Sequence, residues 1–121
     1  MKPSIYYAAD QKEIMTDERC LITELLNLPG GDHLSIARAR VEPGVTTAWH
    51  KLIDITERYL IISGTGLVEL ENHEGGKVGP GDVVVIPPNC RQRIKNDCDT
   101  DLVFYCICTP GFTAQCYINL D

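Results

Sequence analysis

Residues 44 to 64 read G-V-T-T-A-W-H-K-L-I-D-I-T-E-R-Y-L-I-I-S-G, and this stretch decides how the rest of the chain is read. Glycines close both ends, and alternate residues in an extended chain point to opposite faces. His50 and Leu52 then share one face, with Trp49 and Lys51 on the other. Further on, Glu57, Tyr59 and Ile61 fall together. A His, a Glu and a Tyr facing the same way as aliphatic residues predict polar side chains inside an apolar interior. Such groups need partners or a cavity.

A second stretch, 81 to 96, reads G-D-V-V-V-I-P-P-N-C-R-Q-R-I-K-N. Here Arg91, Arg93 and Lys95 form a row of cations on one face, which fixes Gln92 and Ile94 as the inward pair. Working outward, short apolar runs rich in Val, Ile, Leu and Tyr recur along the chain, with almost no helical periodicity. Strands are predicted near Cys20–Asn27, His33–Val41, Thr47–Lys51, Glu57–Ser63, Gly66–Glu71, Asp82–Ile86, Cys90–Lys95, Leu102–Cys108 and Phe112–Ile118. A short helix or turn is expected at Asp10–Thr16. Turn signals separate them at Pro29-Gly30-Gly31-Asp32, Glu42-Pro43-Gly44, Gly64-Thr65-Gly66, Asn72–Gly76, Gly79–Asp82, Pro87-Pro88-Asn89 and Asn96–Asp99. Many short strands without helical interludes predict an antiparallel sandwich or barrel.

The chain has 121 residues, enough for one domain. Its 17 acidic against 11 basic residues leave a net charge of −6, which disfavours phosphate backbones and anionic lipid, so neither nucleic acid nor a membrane is an expected partner. No apolar run approaches the roughly 20 residues of a membrane-spanning helix. The N-terminus lacks the apolar stretch of a signal peptide, so the six cysteines are expected as free thiols in a cytoplasmic protein.

The two quoted stretches resemble the paired motifs of the cupin family, in its small single-domain form. The first motif is Gly, five residues, His-x-His, three or four residues, Glu, six residues, Gly. The second is Gly, five residues, Pro-x-Gly, two residues, His, three residues, Asn. Gly44, His50, Glu57, Gly64, Gly81, Pro87 and Asn96 fall at matching places. The resemblance implies an all-β, antiparallel jelly-roll β-barrel in a single domain over 1–121, with an N-terminal arm to about residue 19 and motifs at 44–64 and 81–96. It also implies a metal inside the barrel on three histidines and one glutamate.

Two ligand positions depart from that pattern, because Leu52 stands at the second His of the first motif and Gln92 at the His of the second. Leu52 cannot bind a metal, and Gln92 offers only a neutral carbonyl oxygen. The remaining set of His50, Glu57 and Gln92 could hold Fe, Mn, Ni or Zn, with reduced affinity. Asn89, where the family has Gly, is a turn residue that tolerates the same backbone.

Two readings of function stay open. In one, a divalent metal on His50, Glu57 and Gln92 activates a small polar substrate, with Tyr59 handling protons, for isomerase, lyase or oxygenase chemistry. In the other, a metal-free pocket binds a carbohydrate-like or organic-acid ligand without turnover. Without metal, His50 and Glu57 would make an acid–base pair. Tyr59 also reads simply as core. Arg38 and Arg40 read as solvated or at a subunit contact, though they could clamp an anion. His33 and His73 read as exposed bystanders. Cys106 and Cys108 share one face, which lines the cavity if it points inward. Trp49, Tyr6, Tyr7 and the apolar segment 21–26 suggest a homodimer joined through N-terminal strands, as small cupins commonly form.

Overall fold

A computed structural model describes residues 2–28 and 33–121. The turn expected at Pro29–Asp32 lies outside the described residues. Among the described residues eleven antiparallel strands form two sheets. The first runs β1 (Glu13–Met15), β2 (Leu21–Leu26), β3 (Ser35–Val41), β10 (Leu102–Thr109), β5 (Thr56–Ser63), β8 (Val83–Ile86). The second runs β11 (Tyr117–Asn119), β4 (His50–Leu52), β9 (Gln92–Lys95), β6 (Gly66–Leu70), β7 (Gly76–Val78). β1, β2 and β3 pair in sequence and so do β6 and β7, while β10 beside β3 and β5, β8 beside β5, and β9 beside β4 and β6 are distant in sequence, as in a jelly roll. Among the described residues no helix is long and apolar enough to cross a membrane.

The alternation read from the sequence sets the packing. Inward residues of β3, β5, β6, β8, β9 and β10 meet between the sheets, with Phe104, Ile61, Ile86, Ile94, Leu102 and Val41 all at most 2% exposed. A smaller cluster of Leu52, Ile55, Cys108 and Cys116 lies apart from it. Gln92 and Ile94 are both 1% exposed, while the three cations alternating with them are turned outward. Trp49 lies on that outer face beneath the guanidinium groups of Arg91 and Arg93, 4.6 and 4.3 Å from its ring centre. This cation–π cover disposes of much of its apolar surface.

Glycines and Asn make the corners. Gly64 has φ +77°, and a Cβ there would strike the Asp101 carbonyl, so the β5–β6 turn requires glycine. Asn89 adopts the left-handed backbone itself, at φ 67°, and its side-chain oxygen accepts the Asp54 amide at 3.1 Å. Asn fills the place of glycine because its side chain is useful to the turn.

Three expectations need correction. The segment 10–16 is not one helix or turn: a single 3-10 turn at Ala8–Asp10 gives way to β1, whose Glu13 is drawn into the sheet by Arg40 at 2.6 Å. The strand expected over Phe112–Ile118 begins only at Tyr117, because Ala114–Cys116 forms a 3-10 turn. Gly76, expected as the end of a turn, opens β7, a strand not expected, which pairs with β6. Arg40 spends its charge outside the barrel, on Glu13 and on Asp101 at 3.0 Å, and Arg38 shares its outward face. Neither arginine clamps an anion in the interior. His33 and His73 are exposed, as expected.

Candidate functional site

His50 opens β4 and is 4% exposed. Its Nδ1 lies 2.8 Å from the Ala48 carbonyl, which can only accept, so Nδ1 carries a proton and Nε2 is left as the working nitrogen. Tyr117 stacks on the ring, with centres 5.2 Å apart. Nε2 faces Glu18 Oε2 at 3.6 Å.

Glu18 comes from the N-terminal arm, and local turn chemistry puts it there. Thr16 N and Oγ1 both donate to the Cys20 carbonyl, and Arg19 adopts a left-handed backbone to close the turn. The turn is then tied to the 46–48 segment: Arg19 Nε donates to the Thr46 carbonyl, and Ala48 N donates to the Glu18 carbonyl. Glu18 is thereby held beside His50. Burial raises its pKa, and positive charge on His50 opposes the rise.

Glu57 sits on β5, 7% exposed, with Oε1 buried and without a hydrogen-bond partner. Its other oxygen has only the long contact from Cys108 Sγ at 3.8 Å. Burial, and then the nearby Glu18 charge, push its pKa up to about 7, against the smaller opposing influences of Gln92, Cys108 and Cys106. Gln92 Oε1 accepts the Tyr59 hydroxyl. Tyr59 in turn packs on Phe104, with ring centres 4.5 Å apart, and burial and the Glu57 charge hold its phenol well above the usual range. Tyr59 thus braces Gln92 from the core side.

These groups surround or back a cavity of about 320 Å³. Glu57 and Glu18 both line it, with Cys106, Cys108 and Tyr117, while Ile22, Ile36, Ala37 and Phe112 supply apolar wall. The exposed Asp17 and Glu24 stand at its rim. The face of Cys106 and Cys108 therefore points inward, the side that parity left open. Burial raises both thiols, which makes them poor nucleophiles. His50, Tyr59 and Gln92 stand behind the wall. His50 reaches the cavity through Glu18 and Tyr117, and Tyr59 and Gln92 adjoin Glu57.

The donors implied by the resemblance do not fit a divalent transition metal in this arrangement. Leu52 offers none, Gln92 Oε1 is taken by Tyr59, and His50 Nε2 is turned to Glu18. Among the described residues no three His, Cys, Asp or Glu side chains gather so as to hold a metal.

Sequence reasoning missed Glu18 and Tyr117. Both lie outside the two motifs, in short turns and strands with no alternating pattern, so only the long-range ties of residues 16–20 and 117–119 to β4 and its flank reveal them.

The cupin domain family model matches residues 37–108. An uncharacterized protein of Methanocaldococcus jannaschii is 35% identical over 106 residues, covering 86% of this chain and 84% of that protein. Among solved structures, Streptomyces Pac13, a nucleoside dehydratase, bound to uridine superposes with TM-score 0.81 at 19% identity, covering 99% of this chain and 92% of that one. KdgF from Halomonas superposes with TM-score 0.77 at 15% identity, covering 94% and 98%. At these identities the two structures share the fold. With both motifs in place, a jelly-roll barrel around an interior polar site, and the family match spanning more than half its length, the chain belongs to the cupin family.

Proposed function

We propose that this small cupin binds a small polar molecule in its cavity and moves protons on it by general acid–base chemistry, of the isomerisation or elimination type. The observation that carries this reading is a pair of carboxyls, Glu57 and Glu18, on one cavity wall, with Glu57 Oε1 buried and free of any partner. A carboxyl with pKa about 7 can accept and return a proton at neutral pH. Glu57 serves as the base. Glu18, beside His50 Nε2, gives the second proton site, and the imidazole takes or supplies the balancing proton. Cys108 and the Gln92–Tyr59 pair set the position of the Glu57 carboxyl.

The family's usual alternative is Fe, Mn, Ni or Zn on His50, Glu57 and Gln92. The unpartnered Glu57 oxygen favours it, and the commitments of Gln92 and His50 weigh against it. A binding module without turnover is the remaining alternative. Six unpaired thiols support a reducing, cytoplasmic setting. The exposed Ile5, Tyr6, Tyr7, Ile14 and Met15 along the N-terminal edge support a homodimer through that edge, which sedimentation would measure.

The test is hydrogen–deuterium exchange at carbon in a panel of small hydroxycarbonyl and amino-carbonyl compounds, followed by proton NMR in heavy water. At least one compound should exchange faster with the protein, and Glu57→Gln should remove roughly 10²-fold or more of that rate. Equal rates for Glu57→Gln and wild type would show that the base lies elsewhere. Binding at the cavity without exchange in any compound would favour the module.

A further inference from the structure

The charge of the cavity selects its ligand. Among the described residues that line it, four are carboxylic acids, Asp17, Glu18, Glu24 and Glu57, and none is Lys, Arg or His. A second observation is independent of that count. Glu57 is buried, yet its Oε1 has no hydrogen-bond partner, and the buried Tyr117 hydroxyl is likewise without one. A buried acceptor left open is costly to the fold unless something arrives to donate to it. Apart from Thr16 and Ser35 and the thiols of Cys106 and Cys108, the rest of the wall is apolar or aromatic.

An organic acid or phosphate ester would enter a site with no positive charge to meet it. A polyol would need many hydrogen-bond partners, yet the hydroxyl donors here are those of Thr16, Ser35 and Tyr117, and Thr16 Oγ1 already donates to the Cys20 carbonyl at 2.7 Å. An ammonium group answers both demands. Its N–H groups can donate to the open carboxylate oxygen, and its charge is stabilised by the acidic wall and by aromatic faces.

We infer that the cavity takes a small organic cation: a primary or secondary ammonium on a compact apolar body, donating to Glu57 Oε1 beside Glu18, with the body against Ile22, Ile36, Phe112 and Tyr117. The volume of about 320 Å³ is at the small end for ligand sites and suits a single ring or short branched chain. This rests on the cavity being the ligand site, as proposed above, and adds the charge class of the ligand.

Three probes of one shape and different charge test it: cyclohexylamine, cyclohexanol and cyclohexanecarboxylate. Each is titrated into chelator-dialysed full-length protein at pH 7.5, with the Ile22 and Ile36 methyl signals read by carbon–proton NMR. The amine should shift these signals and bind at least roughly tenfold more tightly than the alcohol, in line with a charge-assisted hydrogen bond, while the carboxylate should not bind. Glu57→Gln should bring amine and alcohol within about threefold of each other, and Glu18→Gln, the second variant should the first fail to fold, should narrow the gap in the same direction. An alcohol or carboxylate that binds as tightly as the amine overturns the inference and leaves the acid–base reading standing. Failure of all three to move the cavity methyls overturns both.

Discussion

Replacing Glu57 by Gln should stabilise the protein at neutral and alkaline pH and leave it nearly unchanged in acid. The wild-type carboxyl is carried from 4.5 in the unfolded chain to about 7 in the folded one, chiefly by burial. The folded state therefore holds this proton more tightly than the unfolded state. Stability from that proton is complete below about pH 4.5, declines as pH rises through the window to 7, and is gone above it. At 1.36 kcal/mol per tenfold change in proton affinity, the loss is about 3 kcal/mol. Gln is close in shape and carries no charge to desolvate, so the variant lacks this decline.

Glu18, whose pKa is also raised, contributes its own slope to both proteins. The difference between them reports the burial of Glu57 together with its mutual repulsion with Glu18. Urea unfolding at pH 4, 6 and 8, followed by tyrosine and tryptophan fluorescence, measures it. The midpoints should separate by roughly 1–3 M in favour of the variant at pH 8 and converge at pH 4. A gap independent of pH, or a variant less stable at pH 8 than at pH 4 by the wild-type margin, would refute a buried carboxyl with a raised pKa.

Three further outcomes are expected. Wild-type protein purified without chelator should carry less than about a tenth of an equivalent of transition metal, and Leu52→His, which restores an imidazole beside His50, should raise that content; near-stoichiometric metal in the wild type by elemental analysis would reverse the donor-set argument. Phe104→Ala removes a ring that is 2% exposed and packed on Tyr59, so it should cost about 3–5 kcal/mol in urea unfolding, and a cost below about 1 kcal/mol would mean that the two sheets do not meet there. A chromogenic disulfide reagent should label the partly exposed Cys90 and Cys98 well before Cys20, Cys106 and Cys108, whose thiols burial raises, and mass spectrometry of the early adducts identifies which react.

The barrel was legible because alternation and corner residues are local properties. Gly44, Gly64, Gly81 and Asn89 announce their turns, and Arg91, Arg93 and Lys95 fix the inward face of β9 without reference to any other strand. Glu57 was legible for the same reason, as a charge on an apolar face. The partners of these residues were not, because partnership is long-range. Nothing in Thr16–Cys20 distinguishes Glu18 from the other acids of a polar arm; its burial follows from backbone ties to Thr46 and Ala48, some 27 to 30 residues away. Parity put Tyr59 inward correctly, but whether it met a ligand or braced Gln92 depended on the second sheet. The short edge strands β1 and β7 escaped, and β11 was started too early, because three residues hold less than two periods of any pattern.

The tethered turn from Thr16 to Cys20 divides labour within the molecule. The barrel's stability rests on residues between the sheets, whereas Glu18 arrives on a turn of which only Cys20 belongs to the core. Such a division lets the lining of the cavity drift by substitution at Asp17 and Glu18 while the core between the sheets is left alone. Two chains with this barrel could therefore diverge in what they transform through changes confined to their first twenty residues, and a comparison restricted to the barrel motifs would report them as the same.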